Sequence, residues 1–158
     1  MLRRLLPVLA AALLVAGCSG STPHPDVTFT AGATSVVAKP TQYCDIDLTH
    51  CNSDAGAPVE LAVPVGTPLQ IDVPEEISST PWQVVFSYRD GKGAQTDGRS
   101  PVFNVNAQKT YSLQLPGATD RLLAAQVQQY GPPPQANPQT GELEFPIRAS
   151  WVLTTKAQ

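Results

Sequence analysis

Histidine is nearly missing from this sequence: its 158 residues hold two, His24 and His50. A hydrolytic triad needs an imidazole beside a serine or cysteine nucleophile. His24 instead sits in a Ser/Pro-rich stretch, His50 adjoins Cys51, and no Gly-x-Ser-x-Gly elbow occurs. Phosphate loops are missing too, because Gly91-Lys92-Gly93 lacks both the length and the Lys-Ser/Thr ending and reads as a hairpin connection. Asp90 to Asp97 does not have the ligand spacing of a calcium loop. Positive charge is scarce, with 10 Lys plus Arg against 13 Asp plus Glu for a formal charge of −3. No basic stripe is interleaved with aromatics, so nucleic acid is not an expected partner.

Carboxylates are present in pairs, Asp45 with Asp47, Glu75 with Glu76, and Glu142 with Glu144. Each pair falls in a loop or at a strand end, where solvation keeps both groups ionised and nothing raises a pKa for acid–base work. The chain is accordingly expected not to be an enzyme and to carry no cofactor and no metal.

No apolar run is long enough to cross a membrane. The longest, Leu5 to Gly17, has 13 residues and is interrupted by Pro7, where a spanning helix needs about 20. Preceded by Arg3 and Arg4, it reads as a signal peptide over residues 1–17. Val15-Ala16-Gly17-Cys18 resembles the lipobox of bacterial lipoproteins at all four positions, where the cysteine thiol takes diacylglycerol before cleavage. Two acyl chains hold a protein stably on a bilayer where one would not. The expected product is anchored to the membrane by Cys18 on the extracytoplasmic side. Removing 17 of 158 residues leaves 141, and losing Arg3 and Arg4 takes the formal charge from −3 to −5. Residues 18–26 read as a tether, small and polar at first and then stiffened by Pro23 and Pro25, with His24 as a solvated linker residue.

With Cys18 acylated, Cys44 and Cys51 remain as an even pair outside the cytoplasm, and a disulfide is the natural reading. The alternative treats Cys44-Asp45-Ile46-Asp47-Leu48-Thr49-His50-Cys51 as a zinc or copper site. Its donors are chemically suitable, but their spacing matches no standard zinc pattern.

Sixteen prolines and eleven glycines fall between short apolar runs and argue against long helices. Strands are expected at Val27 to Thr30, Ser35 to Lys39, Val59 to Val63, Leu69 to Val73, Trp82 to Arg89, Pro101 to Val105 and Thr110 to Leu115. A last strand follows, with Phe145, Ile147, Ala149, Trp151 and Leu153 alternating inward. Arg121 to Tyr130 has good helix formers but also alternates Leu123, Ala125 and Val127; between two strands it is read as a strand. The expectation is one all-β domain over residues 27–158, an immunoglobulin-like Greek-key sandwich of about seven to nine short strands with Trp82 and Trp151 in its core. The inter-sheet cysteine pair of antibody domains is missing.

Two loops are candidates for recognition. In Gly131-Pro132-Pro133-Pro134-Gln135-Ala136-Asn137-Pro138, the run Pro132, Pro133, Pro134 favours an extended, preformed conformation on which a partner docks. The polar run Asp90 to Ser100 reads more simply as a loop with local ion pairs.

The segments Tyr43-Cys44-Asp45, Cys51, Pro81 to Arg89, Gly98 to Phe103 and Val127 to Gly131 together resemble a family of secreted actinobacterial lipoproteins, known from mycobacteria and their relatives, with no assigned function. The resemblance spans most of the mature domain and implies the envelope address. Its motifs look structural, so it implies no activity and carries over no site residues. The proline loop stands outside it. The sequence thus points to a lipid-anchored, non-enzymatic binding or accessory module for an envelope protein or lipid; the alternative is a carrier of a small apolar ligand held between the sheets.

Overall fold

The structure, a computed structural model, describes residues 23–156; the signal segment and Cys18 lie outside them. Nearly all regular structure is strand. In chain order the elements are β1 (Val27–Ala31), β2 (Thr34–Ala38), β3 (Gln42–Cys44), β4 (Cys51–Ser53), β5 (Val59–Leu61), β6 (Leu69–Asp72), α1 (Glu75–Ser78), β7 (Trp82–Arg89) and β8 (Gln95–Arg99). They continue with β9 (Thr110–Leu113), β10 (Arg121–Tyr130), β11 (Gln135–Ala136), β12 (Leu143–Glu144) and β13 (Ile147–Thr155).

Two sheets pack face to face. One has the order β2-β1-β6-β9; the other has β4-β3-β13-β10-β7-β8, with β5 added in parallel beside the end of β13. The chain passes from β6 across to β7, turns into β8, returns to β9 beside β6, and crosses again to β10 between β7 and β13. That path is a Greek key, and the all-β sandwich expected from the alternation is what forms.

The reason is visible strand by strand. In β1 the pattern Val27, Phe29, Ala31 is buried while Thr28 and Thr30 are not, so one face enters the core and the other meets water. Gly32 takes φ +59 in the two-residue turn to β2, a conformation that costs glycine nothing. Phe29, Leu69 and Ile71 from the first sheet meet Trp82, Val84, Val127 and Trp151 from the second, all at 0 or 1 % exposure. Strand β10 settles the ambiguous segment. It pairs along its length with both β7 and β13, and Leu122, Ala125, Val127 and Gln129 point inward. A helix would have left one edge of each of those two neighbours unpaired.

Three expectations fail locally. Pro101 to Val105 forms no strand and only bridges Phe103 to Trp82. Gln95–Arg99, read as loop, is strand β8, an exposed edge whose polar residues give no core-facing signal. Phe145 does not enter the core. The register shifts at Gln129/Tyr130, Tyr130 pairs with Ile147, and β13 begins there, leaving Phe145 58 % exposed. Pro146 brings no N–H to the ladder and sits where the strand starts, a signal present in the sequence.

Candidate functional site

The cysteines are bonded to each other across the β3–β4 hairpin, where Cys44 and Cys51 are register partners with Cα atoms 4.0 Å apart. The metal reading of this segment is thereby overturned, because sulfurs joined to each other are not available as thiolate ligands. Among the described residues no group of three or more His, Cys, Asp and Glu side chains converges.

The hairpin turn is closed by Asp45. Its Oδ1 accepts from the Thr49 backbone N–H at 2.7 Å; its Oδ2 accepts the Thr49 hydroxyl at 2.6 Å and lies 2.8 Å from His50 Nδ1. The Thr49 hydroxyl and then the His50 ring hold the Asp45 carboxyl well below the usual carboxylate range. Hydroxyl and imidazole converge on the same carboxylate oxygen and lie 3.0 Å from each other, so the three groups form a closed triangle in which the hydroxyl donates its hydrogen bond to Asp45. The arrangement fixes a turn containing Leu48 at φ +58.

The feature with binding geometry lies at the neighbouring corner. Strand β10 ends at Tyr130, whose N–H donates to Pro81 O at 2.9 Å, and Gly131 N–H donates to Pro146 O at 2.8 Å. Between these anchored points the chain makes an excursion, with Pro132 to Pro134 leading into β11, which pairs only with β12. Asn137 shapes its tip: the side-chain oxygen accepts from the N–H groups of Gln139 and Thr140, and Gly141 takes φ +73.

A groove of about 730 Å³ runs between this excursion and the segment following β8. Pro132, Pro133, Pro134 and Phe145 form one wall and Val102 and Asn104 lie opposite. Tyr130 meets Phe145 edge-on at 6.1 Å, and burial pushes its phenol up, with Arg99 opposing that shift. Ser100, buried, is spent on the fold: its hydroxyl accepts from Val84 N–H at 2.9 Å and donates to Pro101 O at 2.8 Å. Gln83 on the floor donates to Gln128 at 2.9 Å. Arg99 is exposed and makes no ion pair among the described residues, so it is the groove's cation. It also borders a shallower depression of about 460 Å³ over the outer face of β7 and β10.

The predicted loop, Pro132, Pro133 and Pro134, is thus placed on the wall of a concave site. Arg99 ends the polar run that the sequence offers as a second recognition candidate, whereas Val102 and Phe145 are read there only as strand residues, since the groove forms only when β8 and β12 reach the same corner. Among the described residues, the pocket that opens between the sheets gives the alternative of a ligand held there little space. The pocket there, at Leu69, Leu113 and Leu122, holds about 10 Å³, roughly what one water needs. Large side chains fill that layer, Trp82 and Trp151 foremost.

The end of the segment read as a tether is held against the domain. Trp151 Nε1 donates to Pro25 O at 2.9 Å, and His24 stacks on Tyr43 with ring centroids 4.0 Å apart. His24 is therefore packed against an aromatic ring.

Residues 21–156 match a family described as a protein of unknown function (DUF2771). No curated protein and no solved structure matches the chain.

Proposed function

This chain belongs to the DUF2771 family, and from that premise we propose that it is a lipid-anchored, non-enzymatic protein of the cell envelope, of the actinobacterial lipoprotein type, whose groove binds another envelope component. The groove carries this reading. It is concave and largely apolar, with a few polar groups, among them Arg99 and Asn104, placed to orient an occupant. Its lining holds hydrogen-bonding and cationic groups but no histidine, cysteine or carboxylate, a set suited to recognition. Its proline wall is stiff before contact, which lowers the ordering cost of binding. The anchor is supported by Val15-Ala16-Gly17-Cys18 after a short apolar run.

The test places a photo-crosslinking residue at Phe145 in the full-length protein in its own envelope, with the same residue at Val37 on edge strand β2 as reference. A specific adduct at Phe145 and none at Val37 is expected; equal yields from both sites overturn the binding role. Cys18→Ala is expected to release the protein from the membrane, and an unchanged membrane fraction overturns the anchor.

A further inference from the structure

Large exposed apolar side chains are unevenly distributed over this molecule. They are Val37, Ile46, Val65, Val102, Val105, Leu143 and Phe145, at 41 to 62 % exposure. Five of them gather at one end of the sandwich. Ile46 is on the β3–β4 turn, Val102 and Val105 follow β8, and Leu143 and Phe145 belong to the proline excursion. The shared end is fixed by pairing. The β10-to-β13 excursion leaves at Tyr130↔Ile147, β7 starts beside it at Gln129↔Trp82, Phe103 bridges to Trp82, and Asn106 N–H donates to Ser78 O. Cys44 O accepts from Arg148 Nε at 3.0 Å, which brings the disulfide turn to the same end. Val65 lies at the opposite end, beside Arg89, Arg121 and Thr155.

The path of the N-terminal residues selects what covers this end. Pro25 is bonded to Trp151, and His24 stacks on Tyr43, the register partner of Ala149. His24 thus sits beside the half of β13 nearer Ile147 and the apolar end. Four residues separate Cys18 from Pro23, and the five steps between the two span at most about 18 Å. An acylated Cys18 on so short a lead holds this end close to the bilayer.

We propose that the apolar end of the sandwich faces the bilayer and beds Ile46, Val102, Val105, Leu143 and Phe145 in the lipid interface, so that the groove opens onto lipid. This rests on the anchoring reading above. Asp45, Asp47, Glu142 and Glu144 lie on the same loops, so apolar burial carries the contact while an anionic surface opposes it.

The test uses the mature, lipidated chain in phosphatidylcholine vesicles with brominated acyl chains, which quench nearby indoles. Trp82 and Trp151 are fully buried and give the baseline. Phe145→Trp and, independently, Val105→Trp are expected to lose at least about twofold more emission than Val65→Trp at the far end, as side chains seated in the interface do. Equal quenching at both ends in vesicle-bound chain overturns the orientation, leaves the anchor standing and hands the apolar end to a protein surface. A mature chain that carries no lipid and does not float with vesicles overturns the anchor and this proposal together.

Discussion

Cys44 and Cys51 close a loop of eight residues, counted inclusively, and a crosslink of that length is worth about 2.5 kcal/mol by loop-closure entropy. Cys51→Ser is expected to lower stability by about that amount in urea unfolding, with wild type under reducing conditions showing the same loss. Asp45, six residues earlier, adds a pH signature. Its folded-state pKa is depressed, chiefly by the Thr49 hydroxyl and then by His50, so what it contributes to the turn is complete above the ordinary carboxylate value of about 4. That contribution fades as pH falls below it toward the folded value. The Thr49 amide resonance, whose proton is bonded to Asp45 Oδ1, is expected to hold its position through the ordinary carboxylate range around pH 4 and to move only well below it. In Asp45→Asn that movement is absent.

At the scale of elements, the two long strands β10 and β13 carry the second sheet, and Trp151 is their largest inward side chain. Trp151→Ala is expected to cost about 3 to 5 kcal/mol in denaturant unfolding. The proline excursion behaves oppositely. Because β11 and β12 pair only with each other, replacing Pro132 to Phe145 by a short Gly-Ser link is expected to change stability within about 0.5 kcal/mol while abolishing the adduct formed from a photo-crosslinking residue at Val102, which lines the groove outside the replaced segment. What the sequence made legible follows the same division. Strands with one dry face, such as Val27–Ala31 and Trp82–Arg89, announced themselves by alternation, and so did β10 despite its helix formers. Strand β8 did not, because Gln95, Thr96 and Asp97 face water and edge pairing leaves no hydrophobic trace. Pro132 to Pro134 were visible as a stiff wall. The groove was not, because Arg99, Val102 and Phe145 meet only through pairings made far away in the chain.

The molecule as a whole has one continuous core joining both sheets. Trp82 reports from β7 and Trp151 from β13, both inside it. Thermal unfolding followed by tryptophan fluorescence and by far-ultraviolet circular dichroism is therefore expected to give coincident transitions. Separate midpoints would mean that the two sheets come apart in stages.

The contact between Trp151 and Pro25 has a mechanical side. Under the proposed anchoring, a pull from the N-terminal side enters the domain at Pro25 and Val27 and runs along the axis of β1. That strand is hydrogen-bonded on both flanks, to β2 and to β6. Tension along the axis loads those bonds together, in shear, instead of peeling them one at a time. Trp151, near the other terminus, grips the chain just before the load reaches β1. A domain held at this point resists being unravelled by the proposed anchor.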